Sequence, residues 1–279
     1  MLLEPGLLSI VVDGRRVDRA VIDRGIAHAA VLQQGLEWIV RVPTRTQDAL
    51  LAPIAGQWQA ALPADAPAAP ITVVRAAAYG AWRERRHGGA MIGLMSERRG
   101  GLLRWMLPNA EEQHLTACHT PLLALGATAR PLRRVLLPTD LTQRSAAALD
   151  AAIALCQRFD SALHLVHIFG GPPRPFTADE LAGRAAQRTA RALYDLDRAT
   201  LGTWAERARA AGVAVTAQYA EGEPVPQLLH YAAQHDIDWM VLVSHGARDQ
   251  RDILAGSTTA QLIRRTRLPV IAWRAAAGA

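Results

Sequence analysis

The sequence predicts two α/β units in tandem, each a doubly wound, five-stranded parallel sheet with helices on both faces. Three observations carry this. Short runs rich in Val, Ile and Leu alternate with segments of helical periodicity along all 279 residues, the pattern of a parallel sheet rather than a hairpin stack. The pattern recurs: Asp13 falls on Asp140 and Leu36 on Leu163 at an offset of 127, and Pro121 falls on Pro269 at an offset of 148. Between the copies, residues 126–131 (G-A-T-A-R-P) read as a linker, which sets the units at 1–128 and 132–279.

In the first copy, residues 7–12 (L-L-S-I-V-V) are a strand ending in the turn at Asp13-Gly14. Residues 16–34 carry Val17, Ala20, Val21, Ile26, Ala30 and Val31 at helical spacing. A second strand, 36–42, is stopped by Pro43, and a helix over 47–62 runs into an alanine- and proline-rich connection. Residues 71–74, 91–95 and 121–125 supply three more strands.

The second copy repeats the plan. Residues 135–139 form a strand ending at Asp140, and 144–159 a helix with Ala147, Leu149, Ile153 and Leu155 on its apolar side. Residues 163–169 form a strand broken by G-G-P-P. Thr177 is placed to cap a long helix reaching about residue 211, with Asp179 and Glu180 in its first turn. A strand at 213–219 and a turn at 221–224 follow, and Pro224 opens the helix over 225–234. Then come a strand at 240–243, a polar loop, a helix opened by Gly256-Ser257, and a last strand at 269–273. The shift from 127 to 148 leaves the second copy 21 residues longer between its second and fourth strands. Most of that length is assigned to the Thr177 helix and the helix after Pro224.

Composition narrows the chemistry. The formal charge is +6, and all 31 basic residues are arginine. A Walker-type phosphate loop and a lysine Schiff base are therefore both excluded. Cys118 and Cys156 have no metal or redox spacing and read as buried thiols in a reducing compartment. The N-terminal residues lack a basic leader, and no stretch reaches ~18 uninterrupted apolar residues, so a cytoplasmic location is expected, away from membranes. His114, Cys118 and His119 lack a fourth metal ligand, and that segment reads as a helix end leading to Pro121. His164 and His167 fall on opposite faces of their strand and cannot share a site. The basic clusters at 83–87, placed in a loop, and 264–267, on a last helical turn, have no interleaved aromatics. They read as solvated faces, not a nucleic-acid surface.

The sharpest functional signal is the stretch W-M-V-L-V-S-H-G-A-R-D-Q-R-D-I-L-A-G-S-T-T at 239–259. A buried strand runs into a turn at Ser244-His245-Gly246, and after nine intervening residues Gly256-Ser257 starts a helix. Glycine lets backbone approach an anion, and a helix N-terminus aims N–H groups and its dipole at phosphate. In the first copy Arg98 replaces the turn glycine and Pro108-Asn109 replaces Gly-Ser. Proline there removes an N–H donor, so this half should not hold phosphate in the same way.

The combination V-L-L-P-T-D, Y-A-E-G-E-P, V-S-H-G followed by nine residues and G-S, and the terminal P-V-I-A-W-R resembles the universal stress protein family in tandem form. The resemblance implies the α/β fold of that family and a pseudo-dimer in which residues 122–125 and 270–273 pair as edge strands. It implies adenine-nucleotide binding in the second copy, with ATP and its Mg2+ as the cofactor. Pro138, Thr139 and Ile168 would line the adenosine pocket and Asp140 would meet the ribose or adenine side. Ser244, His245, Gly246, Arg248, Gly256, Ser257 and Thr258 would surround the phosphates. Val243 departs from the glycine that opens the family motif, and Asp249 and Asp252 add negative charge to the loop. The degenerate first copy is expected to serve structure or a protein partner, and a homodimer is compatible with the family. No catalytic constellation is visible. A scaffold without nucleotide and a weak ATP hydrolase remain the alternatives.

Overall fold

The computed structural model describes residues 6–14, 16–85, 90–95, 121–169, 184–244 and 258–274. Its strands are β1 (Leu7–Asp13), β2 (Gly35–Val42), β3 (Ile71–Arg75), β4 (Ala90–Met95), β5 (Leu122–Leu125), β6 (Arg134–Thr139), β7 (Ala162–Phe169), β8 (Val215–Glu221), β9 (Trp239–Ser244) and β10 (Val270–Arg274). The described helices are α1 (Arg19–Leu32), α2 (Leu51–Ala61), α3 (Ala76–Glu84), α4 (Gln143–Phe159), α5 (Arg184–Ala210), α6 (Pro224–Gln234) and α7 (Thr258–Arg265). By its contacts the chain divides into two compact units, residues 1–131 with 243–278, and residues 132–242.

In the first unit the strands run in the order β3-β2-β1-β4-β5-β10. Neighbours from β3 to β5 are parallel. The β10 strand then pairs antiparallel with β5, Val270 opposite Ala124 and Ala272 opposite Leu122. This is the edge pairing expected of residues 122–125 and 270–273, and it covers backbone groups that would otherwise template aggregation. In the second unit β6 lies between β9 and β7, and β8 follows β7, all parallel. The order β8-β7-β6-β9 repeats β3-β2-β1-β4, so the repeat read from residue spacing is a repeat of topology.

Local chemistry explains the elements. Asp18 caps α1 by accepting the Ala20 N–H at 2.9 Å, and Gln33 ends it in the left-handed region. Gly25 lets α1 lie close on the sheet. A Cβ there would come within 2.5 Å of the Trp38 ring and 2.6 Å of Ile10. Pro224 sits in the first turn of α6, as expected. The counterpart of the 27-residue α5 in the first copy is the 11-residue α2, which accounts for much of the extra length of the second. Thr177 lies outside the described residues.

One element corrects the sequence reading. Arg83 and Glu84 belong to α3, with Arg85 as its C-cap, and not to a loop. Residues 76–84 (A-A-A-Y-G-A-W-R-E) follow β3 with no turn residue between, and their alanines favour helix. Gly126 also differs from a free linker residue, since it is buried.

Cys156 is buried, and burial pushes its thiol up to about 12, so it packs as a small apolar group. Cys118 lies outside the described residues, as do His114 and His119. No helix among the described residues is long and apolar enough to cross a membrane.

Two buried histidines make stability depend on pH. Burial holds His28 below the ordinary imidazole range, against an opposing bond to the Arg24 carbonyl. Burial also lowers His164, helped by the charges of His235 and Arg134. A lowered folded value means the unfolded chain binds protons first. Stability is therefore full above about pH 6.5 and falls as pH drops from there toward the folded values, by at most about 1.4 kcal/mol per pH unit for each histidine. Urea midpoints at pH 7.5 and 5.5 should differ in that sense. Equal midpoints would contradict it.

Candidate nucleotide site at the strand ends

The end of β6 is the best-defined part of the expected site. Asp140 follows β6 directly and is exposed. Its Oδ1 accepts the Thr142 N–H at 3.0 Å, the Thr142 hydroxyl at 2.8 Å and the Ser145 hydroxyl at 2.5 Å. The carboxylate thus organises the start of α4 as an Asx turn, a role open to Asp because its short side chain reaches backbone two residues on. Thr139 is buried, and its Oγ1 accepts the Leu141 N–H at 2.9 Å. Leu141 itself has φ 58°, a left-handed conformation that costs a branched L-residue ~1–2 kcal/mol. Strain of this kind at a strand end often accompanies a binding turn.

Pro138 and Ile168 are half-buried apolar residues at the ends of β6 and β7. Pro138 is paired in register with Val166, two residues before Ile168. By strand alternation Pro138 and Ile168 share one face. They form an apolar ledge beside the Asp140 turn.

The other side of the expected site is described only at its borders. Ser244 closes β9 and Thr258 opens α7. The Thr259 hydroxyl donates to the Val243 carbonyl at 3.3 Å, fastening the start of α7 to the end of β9. His245, Gly246, Arg248, Gly256 and Ser257 lie outside the described residues. So do Arg98, Pro108 and Asn109 of the first copy.

Several residues at these strand ends were not singled out as site residues by the sequence. Ser145 and Thr142 carry a readable signal, the T-D-L-T-Q-R-S string of an Asx-capped helix start. His167 does not. Its Nδ1 lies 2.8 Å from the Thr139 carbonyl, and its Nε2 lies 3.5 Å from Asp197 Oδ2 on α5. That second distance suits an ion pair and is too long for a good hydrogen bond. His167 therefore ties β7 to the last residue of β6, while His164 faces the other way, bonded to the Tyr231 hydroxyl of α6 at 2.9 Å. The two histidines occupy opposite faces, as strand periodicity requires. Tyr219 on β8 packs against His167, its hydroxyl pushed up to about 12 by burial first and then by Asp197.

The fold is that of a doubly wound α/β protein, a class in which ligands enter beyond the strand termini, and the Asx turn and the apolar pair lie at that end of the sheet. Residues 131–274 match the model of the universal stress protein family, and the chain belongs to that family. No curated protein matches it. Among solved structures, a universal stress protein from Archaeoglobus fulgidus DSM 4304 superposes over 96% of both chains with a TM-score of 0.62 at 16% identity. A protein of unknown function from Pseudomonas aeruginosa PAO1 covers 96% of this chain and 92% of its own, with a TM-score of 0.61 at 14% identity. At such identities the likeness is one of fold. It extends over both copies, beyond the stretch the family match spans.

Proposed function

We propose that the chain is a tandem stress-response protein of the cytoplasm whose second copy, 132–279, senses an adenine nucleotide. The first copy, 1–128, supplies structure and a surface for a protein partner. The observation that carries this reading is the sequence V-S-H-G at the end of β9, followed by nine residues and Gly256-Ser257 ahead of α7, in a member of this family. The ledge of Pro138 and Ile168 supports it by offering an apolar seat for adenine, and Asp140 stands beside it for a ribose hydroxyl. Ser244, His245, Gly246, Arg248, Gly256, Ser257 and Thr258 would hold the phosphates. ATP would bring Mg2+ on its own phosphates. Nucleotide would act by favouring one arrangement of the 246–256 segment and so changing the surface shown to a partner.

Two observations favour a scaffold without nucleotide as the second reading. Val243 stands where the family motif opens with glycine, and the Asp140 carboxylate is already engaged by Thr142 and Ser145. Titration calorimetry with ATP, ADP and AMP separates the two. Heat that disappears in Gly256→Val, whose side chain blocks backbone approach to phosphate, is the expected result. No heat with any of the three nucleotides at high protein concentration would leave the scaffold.

A further inference from the structure

The first copy has lost the phosphate loop, yet its strand ends carry unsatisfied positive charge. Arg41 lies near the end of β2, paired in register with Asp13 of β1. Thr139 pairs with His167 in the second copy, so one step further Asp140 meets Ile168. Arg41 thus takes the place of Ile168: where the second copy has an apolar ledge, the first has a guanidinium.

That guanidinium is held in place. Its carbon lies 5.6 Å from the centre of the Tyr79 ring on α3, and the Arg83 carbon lies 5.9 Å from the same ring. Trp82 stacks on Tyr79 at 5.6 Å with planes 17° apart, which steadies the ring that both arginines share. An aromatic face orders a guanidinium without neutralising it.

Neither arginine is matched by a carboxylate among the described residues. Arg41 is exposed and makes no ion pair there, and the Arg83 Nε is buried with no acceptor. Nearby Arg75 shows the contrast. It donates to the Thr46 carbonyl at 3.1 Å and pairs with Asp48. A buried donor with no acceptor is costly to leave unmet, and two guanidinium groups each within 6 Å of one ring centre gather two positive charges around it, which suits the oxygens of a phosphate. Asp13 stands in register with Arg41 on the neighbouring strand, so one carboxylate borders the two arginines and the cluster stays positive.

We propose that the first copy holds an anion site of its own, with Arg41 and Arg83 ordered on Tyr79 to take a small phosphomonoester dianion. It is separate from the nucleotide site and does not depend on it. The exchange of Ile168 for Arg41 replaces acceptance of a base by capture of charge.

The test uses inorganic phosphate and the full chain carrying Gly256→Val, so that the second copy's phosphate segment does not contribute. Phosphorus NMR line broadening at low salt gives the affinity. Adding Arg41→Ile to that chain should weaken phosphate binding about tenfold, the loss expected for one charge-assisted contact. Arg83→Leu should weaken it similarly, and Arg41→Lys less. Arg41 is exposed, so its replacement does not threaten folding. Absence of broadening in the Gly256→Val chain, or broadening unchanged by Arg41→Ile, overturns the site. Nucleotide heat measured separately on Arg41→Ile alone should equal that of the unmodified chain, which keeps this result independent of the second copy.

Discussion

Replacing Trp38 with alanine should lower the stability of the first unit by about 3–5 kcal/mol, the range for emptying a buried indole site. Trp38 is fully buried on β2. Its ring faces Trp58 of α2 with centroids 6.3 Å apart, and it lies over Gly25 of α1, where an added Cβ would come within 2.5 Å of it. One side chain therefore fills the space between the sheet and two helices. The shape of the contact supplies a second measurement. Gly25→Ala alone should destabilise, because its methyl group meets the ring. In the Trp38→Ala chain the same methyl enters vacated space, and the second substitution should cost less or restore stability. Thermal melts followed by circular dichroism on the four proteins give the coupling. Strict additivity would mean that Gly25 and Trp38 do not share that volume.

Gly126→Ala should also destabilise, by about 1–3 kcal/mol, the usual cost of overpacking. A Cβ at 126 would lie 2.6 Å from both the backbone nitrogen and Cδ of Pro269. Neither can retreat cheaply. The Ala127 N–H donates to the Arg267 carbonyl at 3.0 Å, and the next residues of both segments enter the β5–β10 ladder. Gly126→Val should cost more. A melting temperature unchanged by either substitution would show that the two segments can separate at this point.

Most strands were legible because they are runs rich in Val, Ile or Leu bounded by turn residues, and every strand read from the sequence is present. The α3 helix was not. It begins at the residue after β3 with no turn residue to mark its start, and Gly80 interrupts its alanine-rich run. The candidate site divides in the same way. Asp140 stands out as the acid at a strand end, and T-D-L-T-Q-R-S contains its helix-start partners. The left-handed Leu141 is invisible in sequence, since leucine rarely adopts that conformation. His167 and Asp197 are 30 residues apart, and only the packing of α5 on the sheet brings them to 3.5 Å. The arginines on Tyr79 are hidden in the sequence because the run 83–87 reads there as a loop, whereas Arg83 lies on α3. On a helix, residues 79, 82 and 83 face one side together.

The antiparallel pairing of β5 with β10 has a consequence for how such a protein can diverge. Between separate identical chains, a two-fold contact places each substitution on both sides at once, and dilution pulls the partners apart. Here L-L-A-L pairs with V-I-A-W-R inside one chain. The partner strand is tethered at a fixed effective concentration, so the joint holds however scarce the protein is. Each side is written by its own stretch of sequence. A change such as arginine for isoleucine at a strand end can then arise in one copy without being imposed on the other, and a single chain is free to carry two unlike specificities.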